Sequence, residues 1–238
     1  AFDHPDVKAA FVNHCVRAVE FFEPDYLAIG IEANLLLNES PELWDAYVEL
    51  NRHTYTELKA RFPDLPVFAS LYATSFLDGW RAEDDHQAQL QAKDDILAYS
   101  DLFAWALYPY ASAYLTNPLP ETMFSELFAL SDKPVAICET GYPADPFDIL
   151  DGAIVFEGTE EKQRAFVEWM LDELQAHQSA FVINFVLRDY DDLCWSVDPV
   201  NGCSDLWISW RDTGLYDEEG NPRPALDVWH AYLDRAME

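Results

Sequence analysis

The chain has 238 residues, half of them hydrophobic and 15% aromatic, which supplies a sizeable core and excludes a disordered chain. Its 44 acidic residues against 14 basic ones leave a net charge of −30, which repels a phosphate backbone and excludes nucleic acid as a partner. No apolar run approaches the ~20 residues of a membrane helix and no signal-peptide pattern opens the chain, so no membrane partner is expected. The chain starts with Ala rather than Met, so a processed or truncated start is expected. A secreted or periplasmic protein with its signal removed fits that start without being fixed by it.

In chain order, His4 to Phe22 reads as an amphipathic helix with Val7, Phe11, Cys15, Ala18 and Phe22 on one face. Pro24-Asp25 turns the chain into a first strand, Tyr26-Leu-Ala-Ile-Gly-Ile-Glu32. Ser40 and Pro41 open a helix that runs to about Phe62. A second strand follows at Val67 to Tyr72, a polar helix at about Asp84 to Tyr99, and a third strand at Asp101 to Tyr108. A weaker helix at Pro120 to Leu130 leads to the fourth strand, Val135 to Glu139. A long loop through Pro143, Pro146 and Gly158 comes next, then a helix from Thr159 to about His177. Ala180 to Leu187 is the fifth strand, followed by an aromatic-rich segment and a last helix at Ala225 to Arg235. A βα unit thus repeats five times with no change of composition, which predicts one α/β domain over residues 1–238 built on a parallel sheet. No Gly-rich phosphate turn follows the first strand, so a barrel geometry is favoured over a doubly wound sheet. Five units are three short of barrel closure.

Two strands end alike. Lys133-Pro-Val-Ala-Ile-Cys-Glu-Thr-Gly-Tyr-Pro143 delivers Glu139 from a buried run, and the first strand delivers Glu32. Paired carboxylates on one rim suit glycosidic cleavage, which needs an acid for the leaving oxygen and an anion for the sugar, about 5–5.5 Å apart in retaining enzymes. Tyr108 and Tyr110 end the strand between them, and each is either a packing tyrosine or a donor to one carboxylate. Among tryptophans near strand ends (Trp80, Trp105, Trp195, Trp207 and Trp210), any one is core in its plain reading, and one or two become platforms for pyranose rings in the functional one. Asn34 and Asn184 offer amides for sugar hydroxyls, Asn34 being the better placed. Arg188 beside Asp189, Asp191 and Asp192 is read as an ion pair. The six histidines are scattered and no cysteine pair has metal-ligand spacing, so neither a metal nor any other cofactor is expected. Cys194 and Cys203 share a loop and either close a small disulfide or remain free thiols. Neither Ser70 nor Ser75 lies in a G-x-S-x-G elbow, which argues against a serine hydrolase.

These residues resemble clan A of the retaining glycoside hydrolases, (β/α)8 barrels whose acid/base Glu ends strand 4 and whose nucleophile Glu ends strand 7. Val135-Ala-Ile-Cys-Glu-Thr-Gly-Tyr-Pro143 looks like the strand-7 pattern, and Tyr26 to Glu32 like strand 4. Gly214-Leu-Tyr-Asp-Glu-Glu-Gly-Asn-Pro-Arg-Pro224 resembles the stretch before the last helix in several such families, with the β-1,4-galactanase-like family 53 nearest in character. The resemblance implies an incomplete TIM-type barrel holding strands 4 to 8. It implies a retaining β-glycosidase for β-linked oligo- or polysaccharides, with a sugar-binding remnant of such an enzyme as the alternative. Glu139 would be the nucleophile, Glu32 the acid/base and Tyr108 the nucleophile's hydrogen-bond donor. Asn34, Trp105, Tyr110, Tyr142 and Trp195 would contact the carbohydrate. Two departures stand out: Ile31 replaces the Asn that usually precedes the acid/base, and the fifth strand lacks its usual Trp. An open barrel exposes strand edges, so a homo-oligomer that covers them is expected.

Overall fold

A computed structural model describes residues 1–197 and 203–235. The chain forms two compact units, Ala1–Leu107 with Ser125–Cys138, and Tyr108–Phe124 with Glu139–Glu238.

The first unit opens with α1 (Pro5–Phe22), begun by the His4 ring accepting the Asp6 amide, with Pro5 in its first turn. Its buried stripe is Val12, Cys15, Val16 and Val19. The expected face was therefore rotated: Val7 is 40% exposed and Phe22 72%. Strand β1 (Leu27–Ala28), the short helix α2 (Leu36–Glu39), helix α3 (Trp44–Arg61) and strand β2 (Val67–Phe68) follow. Val12, Cys15, Val16, Ile29, Leu58 and Val67 make one core from α1, α3 and the two strands. β1 runs parallel to β2, pairing Leu27 with Val67 and Ala28 with Phe68.

The second predicted strand is broken at Ala69, so that β3 (Ser70–Tyr72) pairs with a different neighbour from β2. Helix α4 (His86–Leu97) starts on the Asp85 carboxylate, which accepts the Ala88 amide at 3.1 Å. Strand β4 (Phe103–Leu107) is buried along its whole length and lies parallel to β3, Ser70 opposite Ala104. A central parallel strand covered on both faces has this near-continuous apolar sequence. Asp101 pins the start of β4: it accepts the Val67 amide at 2.8 Å and the Tyr55 hydroxyl at 2.7 Å, and lies 3.0 Å from Lys59 Nζ. Burial alone would raise its carboxyl, and these three donors outweigh burial and hold it below the usual Asp range. Helix α5 (Met123–Phe128) and strand β5 (Val135–Thr140) continue the chain, β5 passing from the first unit into the second.

In the second unit the expected long loop contains an antiparallel hairpin, β6 (Phe147–Ile149) and β7 (Ile154–Phe156), with Phe147 opposite Phe156. Its turn places Leu150, Asp151 and Gly152 at φ of 54°, 54° and 80°. Helix α6 (Glu160–Ala176) is capped by Thr159 and buries Phe166, Val167, Met170, Leu171 and Leu174. Strand β8 (Val182–Asn184) lies beside β5, and Phe185 donates to the Thr140 carbonyl at 2.6 Å. The aromatic-rich segment, where no helix is expected from the sequence, holds two: α7 (Asp191–Val197) and α8 (Asp205–Arg211). Helix α9 (Pro224–Leu233) packs on α6.

Together β3-β4-β5-β8 form a parallel sheet flanked by helices, an incomplete β/α barrel of four to five strands. Among the described residues no helix is long and apolar enough to cross a membrane. Cys15 and Cys138 take part in no disulfide and Cys203 is disulfide-bonded; the Cys194 side chain, its expected partner, lies outside the described residues.

Candidate active site

Glu139 sits near the end of β5, half-buried, after Val135, Ala136 and Ile137, which are fully buried. One residue past β4, the Tyr108 hydroxyl donates to Glu139 Oε1 at 2.5 Å. The Tyr108 ring is itself held. It meets Tyr110 edge-on at 6.2 Å and Trp210 at 5.7 Å, and Tyr110 donates to the Ser209 carbonyl at 2.8 Å. The donor that faces Glu139 is thus fixed by packing in a fully buried ring. The backbone after Glu139 also has little freedom: a Cβ on Gly141 would lie 2.4 Å from the Phe185 carbonyl and 3.0 Å from Thr213 Cβ. Only glycine allows β8 and the Thr213 segment to approach so closely.

Within the first unit, Glu32 lies beyond the strand in which it was expected. β1 ends at Ala28; its ladder continues through the Ile29 amide to Phe68 and the Ser70 amide to the Gly30 carbonyl. Glu32 follows in the left-handed region, at φ 47° and ψ 41°, an uncommon conformation for a residue other than glycine. Its amide donates to Ser70 Oγ at 3.1 Å. Two residues on, the Asn34 side chain accepts the Tyr72 amide at 2.7 Å and donates to the Tyr72 carbonyl at 3.2 Å and to Gln89 Oε1 at 2.8 Å. The Arg81 guanidinium stands 4.9 Å over the Tyr72 ring. Burial raises the Tyr72 hydroxyl; Arg81 opposes this and the charge of Glu32 reinforces it.

Several expected sugar contacts are interior instead. Asn34 is fully buried, with its amide committed to β3 and α4. Trp105 is fully buried between Phe103 and Phe128, each ring centre 5.3 Å away, and offers no open face. Tyr110 is 1% exposed and its hydroxyl is spent on Ser209. Tyr142 is half-buried, stacked on Phe166 at 4.9 Å, and lines a cavity of about 450 Å³ with Tyr114, Asn117, Phe156 and Lys162. The Trp195 side chain lies outside the described residues. Trp210, expected as core or a sugar platform, and Ser209, with no expected role, are the neighbours that fix the tyrosines. Their only sequence signal is the aromatic density of the segment.

The second unit also contains a buried charge hub. Arg223, 3% exposed, reaches Asp189 at 2.7 Å, Asp145 at 2.8 Å and the Gly214 carbonyl at 3.1 Å. Asp189 in turn accepts the Gly214 amide at 2.8 Å. Burial pushes Asp189 up to about 7, against the pull of Arg223. The ion pair expected of Arg188 is therefore made by Arg223, while Arg188 donates to the Glu218 carbonyl. Among the described residues Asp189, Asp191 and Glu218 bring carboxylate oxygens within 4.8 Å of one another, but Asp189 already faces Arg223 and Asp191 faces Arg211 at 3.2 Å.

No protein-family model matches the chain, and no curated protein sequence does. Solved structures share its fold. The Ignisphaera aggregans GH53 catalytic domain superposes with a TM-score of 0.63 at 17% identity, over 98% of this chain and 66% of that domain. A fungal β-1,4-galactanase gives 0.64 at 14%, over 94% and 68%. A β-glucuronidase from an uncultured Clostridium sp. gives 0.60 at 11%, over 96% and 36%. The chain shares the fold of these solved structures, at 11%, 17% and 14% identity. The chain spans about a third of that glucuronidase and about two thirds of the GH53 catalytic domain and of the fungal galactanase.

Proposed function

We propose that the protein is a retaining β-glycosidase, related in pattern to family 53 and acting on β-linked oligo- or polysaccharides. Glu139 is the nucleophile: its carboxylate attacks the anomeric carbon while Glu32 protonates the departing glycosidic oxygen. Water, deprotonated by Glu32, then displaces Glu139 and restores both groups. The observation that carries this reading is the buried Tyr108 hydroxyl at 2.5 Å from Glu139, a fixed donor that orients one oxygen and leaves the other for the sugar. Trp210, which packs on Tyr108, and Tyr142, three residues past Glu139, are the aromatic surfaces offered to the sugar. A net charge of −30 disfavours uronate polymers and favours an uncharged glycan such as galactan. The disulfide at Cys203 fits an oxidising compartment outside the cytosol.

Ile31 in the place of the usual Asn, together with the inward-turned Asn34, favours a second reading: a remnant that binds sugar without cleaving it. The experiment is hydrolysis of aryl β-glycosides and β-1,4-galacto-oligosaccharides by the wild type, Glu139→Ala and Glu32→Ala. The expected result is loss in both variants, with azide restoring Glu139→Ala as an α-glycosyl azide. Activity that survives Glu139→Ala sinks the assignment, and sugar binding without turnover selects the second reading.

Self-association belongs to the same proposal. Ala28 on β1 is exposed, and Phe21 and Phe22 at the end of α1 are 80% and 72% exposed, apolar surface that a second copy would cover. A stable monomer at micromolar concentration in sedimentation counts against it.

A further inference from the structure

We propose that Asn34 is a positioning residue for Glu32, its side-chain amide standing in for a missing strand residue and locking the left-handed turn that carries the glutamate. This rests on the acid/base reading of Glu32 given above.

The chain leaves β1 after Gly30, yet β3 runs on to Tyr72. Backbone N–H and C=O groups of a buried strand must find partners. On this side of β3 the Ser70 amide takes the Gly30 carbonyl, and the next inward-facing pair, the Tyr72 amide and carbonyl, is met by Asn34 Oδ1 at 2.7 Å and Nδ2 at 3.2 Å. The Asn34 carboxamide thus reproduces the donor and acceptor that another strand residue would have supplied. A carboxamide presents both groups on one planar head. Its Nδ2 also donates to Gln89 Oε1 at 2.8 Å, and Gln89 Nε2 turns back to Asn38 Oδ1 at 3.3 Å, so α4 braces the same turn.

Asn34, Ser70 and Gln89 are 0%, 2% and 1% exposed. Glu32 lies between the two clamps, its amide on Ser70 Oγ and its turn closed by Asn34. An αL conformation at a non-glycine residue persists where the surroundings over-determine it, and these five hydrogen bonds do so. Asn34 therefore acts on the reaction through the direction of Glu32 and never touches the sugar.

The test uses substituted-phenyl β-galactosides and β-galactobiosides spanning good and poor leaving groups, because protonation of the leaving oxygen matters most when that group is poor. Asn34→Ser is expected to lower kcat by about 10- to 100-fold on the poor leaving groups, with KM unchanged and good leaving groups near the wild-type rate. Ser70→Ala, a smaller change that removes only the Glu32 amide's acceptor, is expected to show the same steepened dependence to a lesser degree. An equal loss across all leaving groups in both variants is the mark of a merely structural role and overturns the proposal, as does no change. Glu32→Ala tests the reading beneath: a flat dependence there removes the acid/base assignment itself. A steep dependence in Glu32→Ala beside flat ones in the other two variants sinks the positioning role alone. A wild type without turnover brings down both.

Discussion

The ends of β1 and β5 carry the same sequence idea, an apolar run closed by a glutamate, and the protein executes it in two ways. At β5 the strand holds its geometry through Glu139 to Thr140, and the carboxylate is restrained from outside by the buried Tyr108 hydroxyl. At β1 the strand ends at Ala28, its ladder running on to Gly30, and the glutamate follows two residues later, restrained through its own backbone by Ser70 and Asn34. A carboxylate steered by a side-chain donor keeps one oxygen committed. A carboxylate steered through its main chain keeps its head unencumbered by that steering. The first suits a group that must attack along one line, and the second a group that must give and take a proton.

The largest expected effect breaks the comparison at β5. Glu139→Ala should reduce kcat by roughly ten-thousand-fold or more, as removal of a covalent nucleophile does, whereas Glu32→Ala should cost about 10²–10⁴-fold and mostly on poor leaving groups. Equal, leaving-group-independent losses in the two variants would make the sites equivalent and end the distinction. Tyr108→Phe sharpens it: a hydrogen bond to a charged group is worth about 1.5–3 kcal/mol, so kcat is expected to fall about 10- to 100-fold with the melting temperature little changed. A wild-type rate in that variant means the hydroxyl does not steer Glu139.

Gly141→Ala tests the backbone beyond Glu139. With a Cβ 2.4 Å from the Phe185 carbonyl, β8 or the Thr213 segment must shift, and overpacking of this kind costs about 1–3 kcal/mol, readable as a lower urea midpoint. An unchanged midpoint would show that the segment yields freely. The smallest effect is a pH dependence in the unit that carries Glu32. The Asp101 carboxyl is held below the ordinary Asp value in the folded protein. Its contribution is therefore complete above ~3.9 and is lost as pH falls through the lower, folded-state value. Urea midpoints measured from pH 7 down to pH 2 should decline less steeply below that point in Asp101→Asn than in the wild type; parallel curves would remove the assignment.

All five strands of the repeating pattern were legible because buried parallel strands advertise themselves as β-branched, aromatic or alanine-rich runs between turn residues. Where such a run ends was less legible. Tyr26 to Glu32 reads as one strand because nothing in Gly-Ile-Glu announces a left-handed residue at Glu32. The hairpin Phe147–Phe156 was hidden by its three-residue strands, although Asp151-Gly152 between alternating Phe and Ile was a usable turn signal. Asn34 shows the deeper limit. A polar side chain two residues past a candidate acid looks like a ligand in sequence, and only the amide and carbonyl of Tyr72 that it bonds in space, which no linear pattern records, reveal what it is for. Trp105 misled for the opposite reason: a large aromatic in a strand covered on both faces is more often packing than platform.

The Arg223 hub has a consequence for how the chain comes off the ribosome. Asp189 is buried, and its counter-charge arrives only with Arg223, at the threshold of α9. A nascent chain arrested between the two would have to bury an acid without its cation, which costs several kcal/mol. The second unit can thus close around Asp189 only once residue 223 is available to it. Arrested chains of increasing length, probed by brief proteolysis, should stay susceptible throughout α6 until residue 223 has emerged.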